Sequence, residues 1–119
     1  MFNLILNEML VTTRGSLAAL FLDYEGETVE LVCDRDLNDH DLRILGAYQG
    51  IFLGQLRELC SQADAGNPQR FKIEFRETSV LSFDVKDGYY IVLLVDATAN
   101  EGMAWRKLEW CRERLLEEM

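Results

Sequence analysis

The chain has 119 residues, and 49% of them are hydrophobic, so it can form one packed core. Its 21 acidic and 12 basic residues give a formal net charge of −9, which repels nucleic-acid phosphates and anionic lipid headgroups. We therefore expect no nucleic-acid partner. No membrane insertion is expected either, because no apolar run approaches the roughly 20 residues of a membrane-spanning helix. Residues 1–119 are predicted to form a single domain.

Cysteine usage and the first residues indicate an intracellular setting. Cys33, Cys60 and Cys111 are an odd number without CxxC spacing, which favours reduced thiols over a disulfide framework. The opening MFNLILNEML is apolar, but it lacks a basic region and is interrupted by Glu8, so no signal peptide is predicted. We expect a cytoplasmic protein.

Hydrophobic periodicity predicts three helices and five strands. In chain order these are a helix at 2–13, strands at 16–23 and 28–33, a helix from about 40 to 63, strands at 71–75, 79–85 and 89–96, and a helix at 101–119. Short turns join neighbouring strands, which predicts antiparallel pairing. The predicted fold class is therefore α+β, an α/β sandwich of order α-β-β-α-β-β-β-α. Its five-stranded antiparallel sheet carries helices on both faces.

One short motif resembles part of a nucleotide site. DYEG at 23–26 matches the DxxG of GTPases, but the chain has no GxxxxGK[ST] phosphate loop. A hairpin turn accounts for Asp23 and Gly26. We therefore expect calorimetry to detect no stoichiometric binding of GTP, and measurable binding would contradict this interpretation.

Two other patterns lack residues that their chemistry needs. DRDLND at 34–39 opens like a calcium loop, but Asp39 stands where that loop needs glycine and Leu45 where it needs a bidentate glutamate. His40 is the only histidine, so neither a common zinc site nor a histidine-activated nucleophile is predicted. The sequence predicts no catalytic residue, metal or cofactor.

The middle helix contains three glycines, Gly46, Gly50 and Gly54, spaced four residues apart. Each costs about 1 kcal/mol relative to alanine, or roughly 3 kcal/mol together. A helical wheel places the large apolar residues on one side, which is predicted to face the sheet. These residues are Leu45, Tyr48, Phe52, Leu56 and Leu59.

The wheel places the glycines on the opposite, outward side. The predicted partner-binding strip consists of Arg43, Gly46, Ala47, Gly50, Ile51, Leu53, Gly54 and Arg57. It would be a small-residue groove with apolar shoulders and basic ends. On this interpretation Gly50→Arg would leave folding intact and block a partner. The alternative is that the glycines are tolerated accidents of a soft helix.

The segment FKIEF at 71–75 predicts an edge strand that pairs with a second copy of the chain. Its side chains alternate, so that one set faces the sheet core and the other faces away. The predicted dimer interface consists of Phe71, Lys72, Ile73, Glu74 and Phe75. Trp110 on the last helix is either a second contact point or a ring lying on its own helix surface.

Two segments resemble the Roadblock/LC7 domain family, in its bacterial MglB-like type. GSLAALFLDYEGETV at 15–29 is similar to the first hairpin of that family, and DGYYIVLLVDATANEGMAWRKL at 87–108 is similar to its junction between last strand and last helix. The matching residues are Gly15, Ala18, Ala19, Asp23, Gly26, Tyr90, Leu93, Leu94, Asp96, Asn100 and Gly102. Together with the order of elements, the resemblance covers nearly the whole chain.

The resemblance implies a homodimer in which the third strands pair and the two middle helices lie side by side. It implies a Ras-like small GTPase of MglA type as partner, docked on the middle helices. The domain would activate hydrolysis, modulate exchange or act as a scaffold, without a catalytic residue of its own. Under this resemblance, the strip with Gly46, Gly50 and Gly54 is the docking surface.

Two alternatives remain open at this stage. The chain could be a structural scaffold or adaptor subunit that holds other proteins without changing a nucleotide cycle. It could instead be a small-ligand sensor with a pocket between sheet and helix, although the strands offer few polar groups for such a pocket.

Overall fold

The order of elements agrees with the sequence prediction. A computed structural model describes residues 1–34 and 36–119. Its helices are α1 (Phe2–Thr12), α2 (Asp39–Gln62) and α3 (Glu101–Glu118). Its strands are β1 (Ser16–Leu22), β2 (Thr28–Cys33), β3 (Arg70–Glu74), β4 (Thr78–Lys86) and β5 (Tyr89–Asp96). The rejected calcium loop includes Arg35, which lies outside the described residues.

The five strands form one sheet in the order β2-β1-β5-β4-β3, and every pairing is antiparallel. Helices α1 and α3 pack on one face, over a cluster that includes Phe21, Leu81 and Leu93. Helix α2 packs on the other face, over a cluster that includes Leu20 and Val92. The predicted α+β sandwich is thus confirmed. The two strands at the centre of this order, β1 and β5, are apolar over most of their length because both of their faces are covered.

Both long helices begin at an asparagine. The side chain of Asn38 accepts a hydrogen bond from the backbone N–H of Asp41 at 3.0 Å, and Asn100 does the same for Met103 at 3.0 Å. Each cap satisfies one of the first N–H groups, which have no partner within the helix. Asn38 and Asn100 are thus the N-caps of α2 and α3.

A tight corner joins β1 to the junction of β5 and α3. Gly15 has φ of +85°, and a Cβ built on it would lie 2.8 Å from the backbone nitrogen of Ala99. Its carbonyl accepts a hydrogen bond from the N–H of Asp96 at 2.8 Å, and the Asp96 carboxylate accepts from the N–H of Thr98 at 2.8 Å. Gly15, Asp96 and the cap Asn100 therefore serve the fold, which explains why these residues carried the resemblance.

Strand β3 ends one residue earlier than predicted. Phe75 lies beyond it and donates its N–H to the carbonyl of Thr78 at 2.7 Å, which starts the turn into β4. The prediction that Phe75 belongs to the edge strand is therefore wrong. The alternation seen in FKIEF ends at Glu74, where the chain begins to turn.

Candidate partner-binding surface

The predicted orientation of α2 is wrong. The buried residues of this helix are Leu42, Gly46, Gln49 and Leu53, so this side faces the sheet. Tyr48 and Leu59, which the helical wheel placed against the sheet, are 54% and 62% exposed. Helix α2 has apolar or small residues nearly all round, and the wheel selected the side with the larger side chains. The sheet instead packs against the side that allows the closest approach.

Two positions in α2 require glycine because the helix lies close to β1 and β5 there. A Cβ on Gly46 would lie 2.8 Å from Cδ2 of Leu22, and a Cβ on Gly50 would lie 2.9 Å from Cζ of Tyr90. Both distances are shorter than real Cβ contacts, so a side chain at either position would force Leu22, Tyr90 or the helix itself to shift. Gly54 differs, since a Cβ on it would have no neighbour within 4 Å.

Tyr90 holds α2 at this short distance. Its hydroxyl donates a hydrogen bond to the carbonyl oxygen of Gly46 at 2.8 Å, and its side chain is fully buried. Burial raises the pKa of Tyr90 to about 12, so the hydroxyl stays protonated and remains a donor at neutral pH. The ring of Tyr90 fills the space that a side chain at Gly50 would need, and Leu22 and Leu20 fill the space beside Gly46.

Part of the predicted strip remains accessible. Ile51 is 53% exposed, Gly54 is exposed, and Ala47 is half-buried beside the β1–β2 turn. At the two ends, Arg43 pairs with Asp39 at 2.6 Å and Arg57 pairs with Asp84 at 2.7 Å. The structure therefore divides the predicted residues into an inward group (Gly46, Gly50 and Leu53) and an outward group (Arg43, Ala47, Ile51 and Gly54). Arg57 lies at the border, where its side chain reaches Asp84 of β4.

The outward side of α2 also carries the exposed large apolar residues Ile44, Tyr48, Ile51 and Leu59, which together with Gly54 are called the α2 outer face below. The wheel had assigned Tyr48 and Leu59 to the core and Ile51 to the partner-binding strip. The ring of Tyr48 lies 6.5 Å from that of Phe52, which lies 6.4 Å from that of Phe71 on β3. A line of aromatic rings thus leads from the α2 outer face to the edge of the sheet.

Strand β3 has β4 as its sheet neighbour, and its other edge is open in the described chain. Phe71 and Ile73 are half-buried, and Phe71 packs in the cluster beneath α2. On the opposite side of the strand, the Arg70 guanidinium lies 4.7 Å from the ring centre of Trp105, and the ammonium of Lys72 lies 2.5 Å from the carboxylate of Glu101. The predicted alternation is confirmed within residues 71–74.

The ion pair of Lys72 ties β3 to the start of α3. Its hydrogen bond to Glu101 raises the pKa of Lys72, and the same bond lowers the pKa of Glu101. Both groups remain in contact with solvent, so the pair orients the strand and adds little to stability. It leaves the outer backbone edge of β3 uncovered.

The described residues offer little for cofactor chemistry. No group of three His, Cys, Asp or Glu side chains within them could hold a metal ion. Cys111 is buried, and burial raises the pKa of its thiol to about 12, which keeps it protonated and unreactive. In the described part of the chain, no helix combines the length and the apolar character that crossing a membrane requires.

Comparison with known proteins identifies the fold. Neither a protein-family model nor a curated protein sequence matches the chain. Among solved structures, the chain is similar to a Roadblock/LC7 domain from Streptomyces avermitilis, with a TM-score of 0.87, 11% identity and coverage of 98% of this chain and 95% of the other. The protein is therefore an α+β domain with the Roadblock/LC7 fold.

Two MglB structures show the same fold. The gliding protein MglB of Thermus thermophilus gives a TM-score of 0.86 at 19% identity, with coverage of 99% of this chain and 90% of the other. An MglB in a tetrameric arrangement gives 0.85 at 18% identity, with coverage of 96% and 84%. The resemblance to Roadblock/LC7 domains and MglB is thus confirmed for the fold.

Proposed function

We propose that this chain is a non-enzymatic, homodimeric regulator of a Ras-like small GTPase of MglA type. Residues 1–119 would act as a single domain in the cytoplasm, and the GTPase would dock on the α2 helices. The observation that carries the proposal is the exposed apolar α2 outer face, which continues through aromatic rings to the open edge of β3. The shared fold with MglB supports it.

Self-association follows from two features that adjoin each other. An open strand edge with unpaired backbone groups favours pairing with a second chain. The part of the α2 outer face that leads to this edge, at Tyr48, would be covered when two copies meet, and Ile51 and Gly54 would stay accessible to another partner. The tetrameric arrangement of one MglB of the same fold is consistent with association between copies.

Docking of the GTPase is assigned to the outward group of α2. Gly54 lies in open space and Ile51 is more than half exposed, so a partner backbone can approach there. The inward glycines contribute indirectly, since they let α2 lie close to the sheet. Arg43 and Arg57 lie at the two ends of the surface, where each is paired with a carboxylate of this chain, Asp39 and Asp84.

The test replaces Gly54 with arginine. Because a side chain at this position meets nothing within 4 Å, the variant should fold and dimerise, while the long charged side chain blocks close approach of the GTPase. The matched control is Gly54→Ala, which should retain binding and gain about 1 kcal/mol of stability from its higher helix propensity. Calorimetry measures binding, and phosphate release by the GTPase with and without this chain measures regulation.

Unchanged affinity of the Gly54→Arg variant would contradict the assigned docking surface. Binding by the wild-type chain without any change in hydrolysis or exchange would instead favour the scaffold or adaptor role. A small-ligand sensor is less well supported, since Leu22 and Tyr90 fill the space between α2 and the sheet next to the glycines. A thermal-shift screen of small molecules would test that role.

A further inference from the structure

Strand β3 presents three residues to a second chain at its open edge. On its other edge, the carbonyl of Gln69 accepts a hydrogen bond from the N–H of Asp84 at 2.8 Å, and the N–H of Phe75 donates to the carbonyl of Thr78 at 2.7 Å. The odd-numbered residues therefore face β4, because successive residues of an antiparallel strand face its two neighbours in turn. The residues whose N–H and C=O groups point to the open edge are Arg70, Lys72 and Glu74.

The stretch of open edge has a defined beginning and end. The next outward-facing position before the strand is occupied by Pro68, which has no N–H to donate. The next one after the strand, position 76, lies beyond Glu74 in the turn between β3 and β4. A second chain can therefore bond fully only to positions 70, 72 and 74.

A two-fold axis pairs two copies of β3 antiparallel, and its position sets the register. With the axis at Lys72, position 70 pairs with 74 of the second copy, 72 with 72, and 74 with 70. An axis at Phe71 brings position 74 opposite Pro68, and an axis at Ile73 brings position 70 opposite the turn at 76. An axis further along the strand pairs fewer residues still, so only the axis at Lys72 bonds all three outward positions.

The apolar side chains of β3 favour the same register. Phe71 and Ile73 are half-buried on the sheet face beneath α2. With the axis at Lys72, Phe71 of each copy lies opposite Ile73 of the other copy. An aromatic residue opposite a β-branched residue is a favourable cross-strand pair, and two such pairs form.

The charged side chains on the other face of β3 favour it as well. Arg70 of each copy would lie opposite Glu74 of the other copy, which gives two pairs of opposite charge. Within residues 1–34 and 36–119, Arg70 makes no ion pair, and the Glu74 side chain is 61% exposed. With the axis one residue earlier, Arg70 would lie opposite Lys72 in both pairs, which like charges disfavour.

The neighbouring charges leave this preference unchanged. Lys72 would meet its own copy at the axis, but its ammonium is already bonded to the carboxylate of Glu101. Arg76 and Glu77 in the turn have opposite charges and stand beyond the paired positions. The strand is therefore complementary to itself in backbone bonding, apolar packing and charge.

We propose that Arg70 and Glu74 select a second copy of this chain as the partner of β3 and fix the register with Lys72 at the two-fold axis. This inference rests on the homodimer of the proposed function and assigns the residues that specify it. A strand from a different chain that lacks a base and an acid at these two positions would leave both charges without partners, so the same residues disfavour mixed pairing.

Single cysteine variants locate the axis. A disulfide requires Cα atoms within about 7 Å of each other. Residues at the axis are about 5 Å apart, whereas a residue one position away from the axis lies about 8 Å from its own copy. Lys72→Cys should therefore cross-link under mild oxidation, and Phe71→Cys and Ile73→Cys should not. Non-reducing denaturing electrophoresis measures the cross-link, and the wild type with its three native cysteines is the control.

Charge exchange tests the two selecting residues. Arg70→Glu and Glu74→Arg should each weaken dimerisation about tenfold in sedimentation equilibrium, because like charges then meet twice. The double variant should recover the wild-type affinity, and so should an equimolar mixture of the two single variants, because opposite charges face each other again. Arg76→Glu is the matched control, since it changes the net charge as Arg70→Glu does but lies beyond the paired positions.

Cross-linking of Phe71→Cys or Ile73→Cys in place of Lys72→Cys would overturn the register and leave the homodimer intact. Dimers whose affinity neither exchange changes, or that the double variant fails to restore, would overturn the selecting role of Arg70 and Glu74. A wild-type chain that stays monomeric would overturn the homodimer of the proposed function, and this inference with it.

Discussion

Replacing Gly50 with arginine should prevent the chain from folding to a stable state. The new Cβ would lie 2.9 Å from Cζ of Tyr90 and nearer still to its hydroxyl, in a region where Tyr90 is fully buried. Even Gly50→Ala should cost about 1–3 kcal/mol from overpacking, despite the higher helix propensity of alanine. Arginine adds the cost of placing a charge against a buried ring. Thermal and urea unfolding followed by circular dichroism measure both variants.

The matched control is Gly54→Arg, which lies one helical turn further along α2 and should remain folded. A second control tests whether the clash with Tyr90 causes the loss of stability, because Tyr90→Phe removes the atom nearest to the new Cβ. The double variant Gly50→Ala with Tyr90→Phe should therefore lose less stability than the sum of the two single variants. Full stability of Gly50→Arg would show that α2 does not lie against β5 as described.

Replacing Lys72 with proline should convert the proposed homodimer into folded monomers. Two ladder hydrogen bonds fix the direction of the strand: Phe75 N–H donates to Thr78, and Asp84 N–H donates to Gln69. Bonded pairs recur at every second residue of an antiparallel ladder, so Ile73 N–H points to β4 and Lys72 N–H points to the open edge. Proline at Lys72 removes a hydrogen bond that only a second chain would make. Light scattering at micromolar concentration measures the mass.

Two variants separate the loss of the Lys72 backbone N–H from the loss of its side chain and from damage to the fold. Lys72→Ala removes the ion pair to Glu101 but keeps the N–H, so it should leave the dimer intact. Ile73→Pro removes a bond within the subunit and should lower the stability of the fold itself. A wild-type chain that is monomeric, or a Lys72→Pro variant that stays dimeric, would exclude pairing through β3.

Local sequence was sufficient for the fold because each element carries its own pattern. The alternation of TVELVC predicted β2 with its bounds, and the apolar run YYIVLLVD predicted β5 likewise. The periodicity placed the start of α3 at residue 101, and the structure shows Asn100 capping it there. The ends of the strands were predicted less accurately. Phe75 was assigned to β3 because the alternation of apolar and polar residues continues past the point where the backbone turns.

The candidate site was predicted only in part. The sequence located it on α2 and β3, and Arg43, Ala47, Ile51 and Gly54 do lie on accessible positions, whereas Arg57 is paired with Asp84 of the sheet. It placed Gly46, Gly50 and Leu53 on the wrong side. It also missed the exposed positions of Tyr48 and Leu59, since a large apolar side chain on a helix is more often in the core.

The sequence by itself determined the order of elements, the antiparallel sheet and the lack of a phosphate loop, because each depends on residues that are close together in the chain. Only the tertiary structure decided which side of α2 meets the sheet. That choice depends on Tyr90, which is 40 residues further along the chain than Gly50, and on Leu22, which precedes the helix. Where both sides of a helix are apolar, the shape of the opposing surface selects the side that packs, and the Tyr90 ring and Leu22 fit only against glycine.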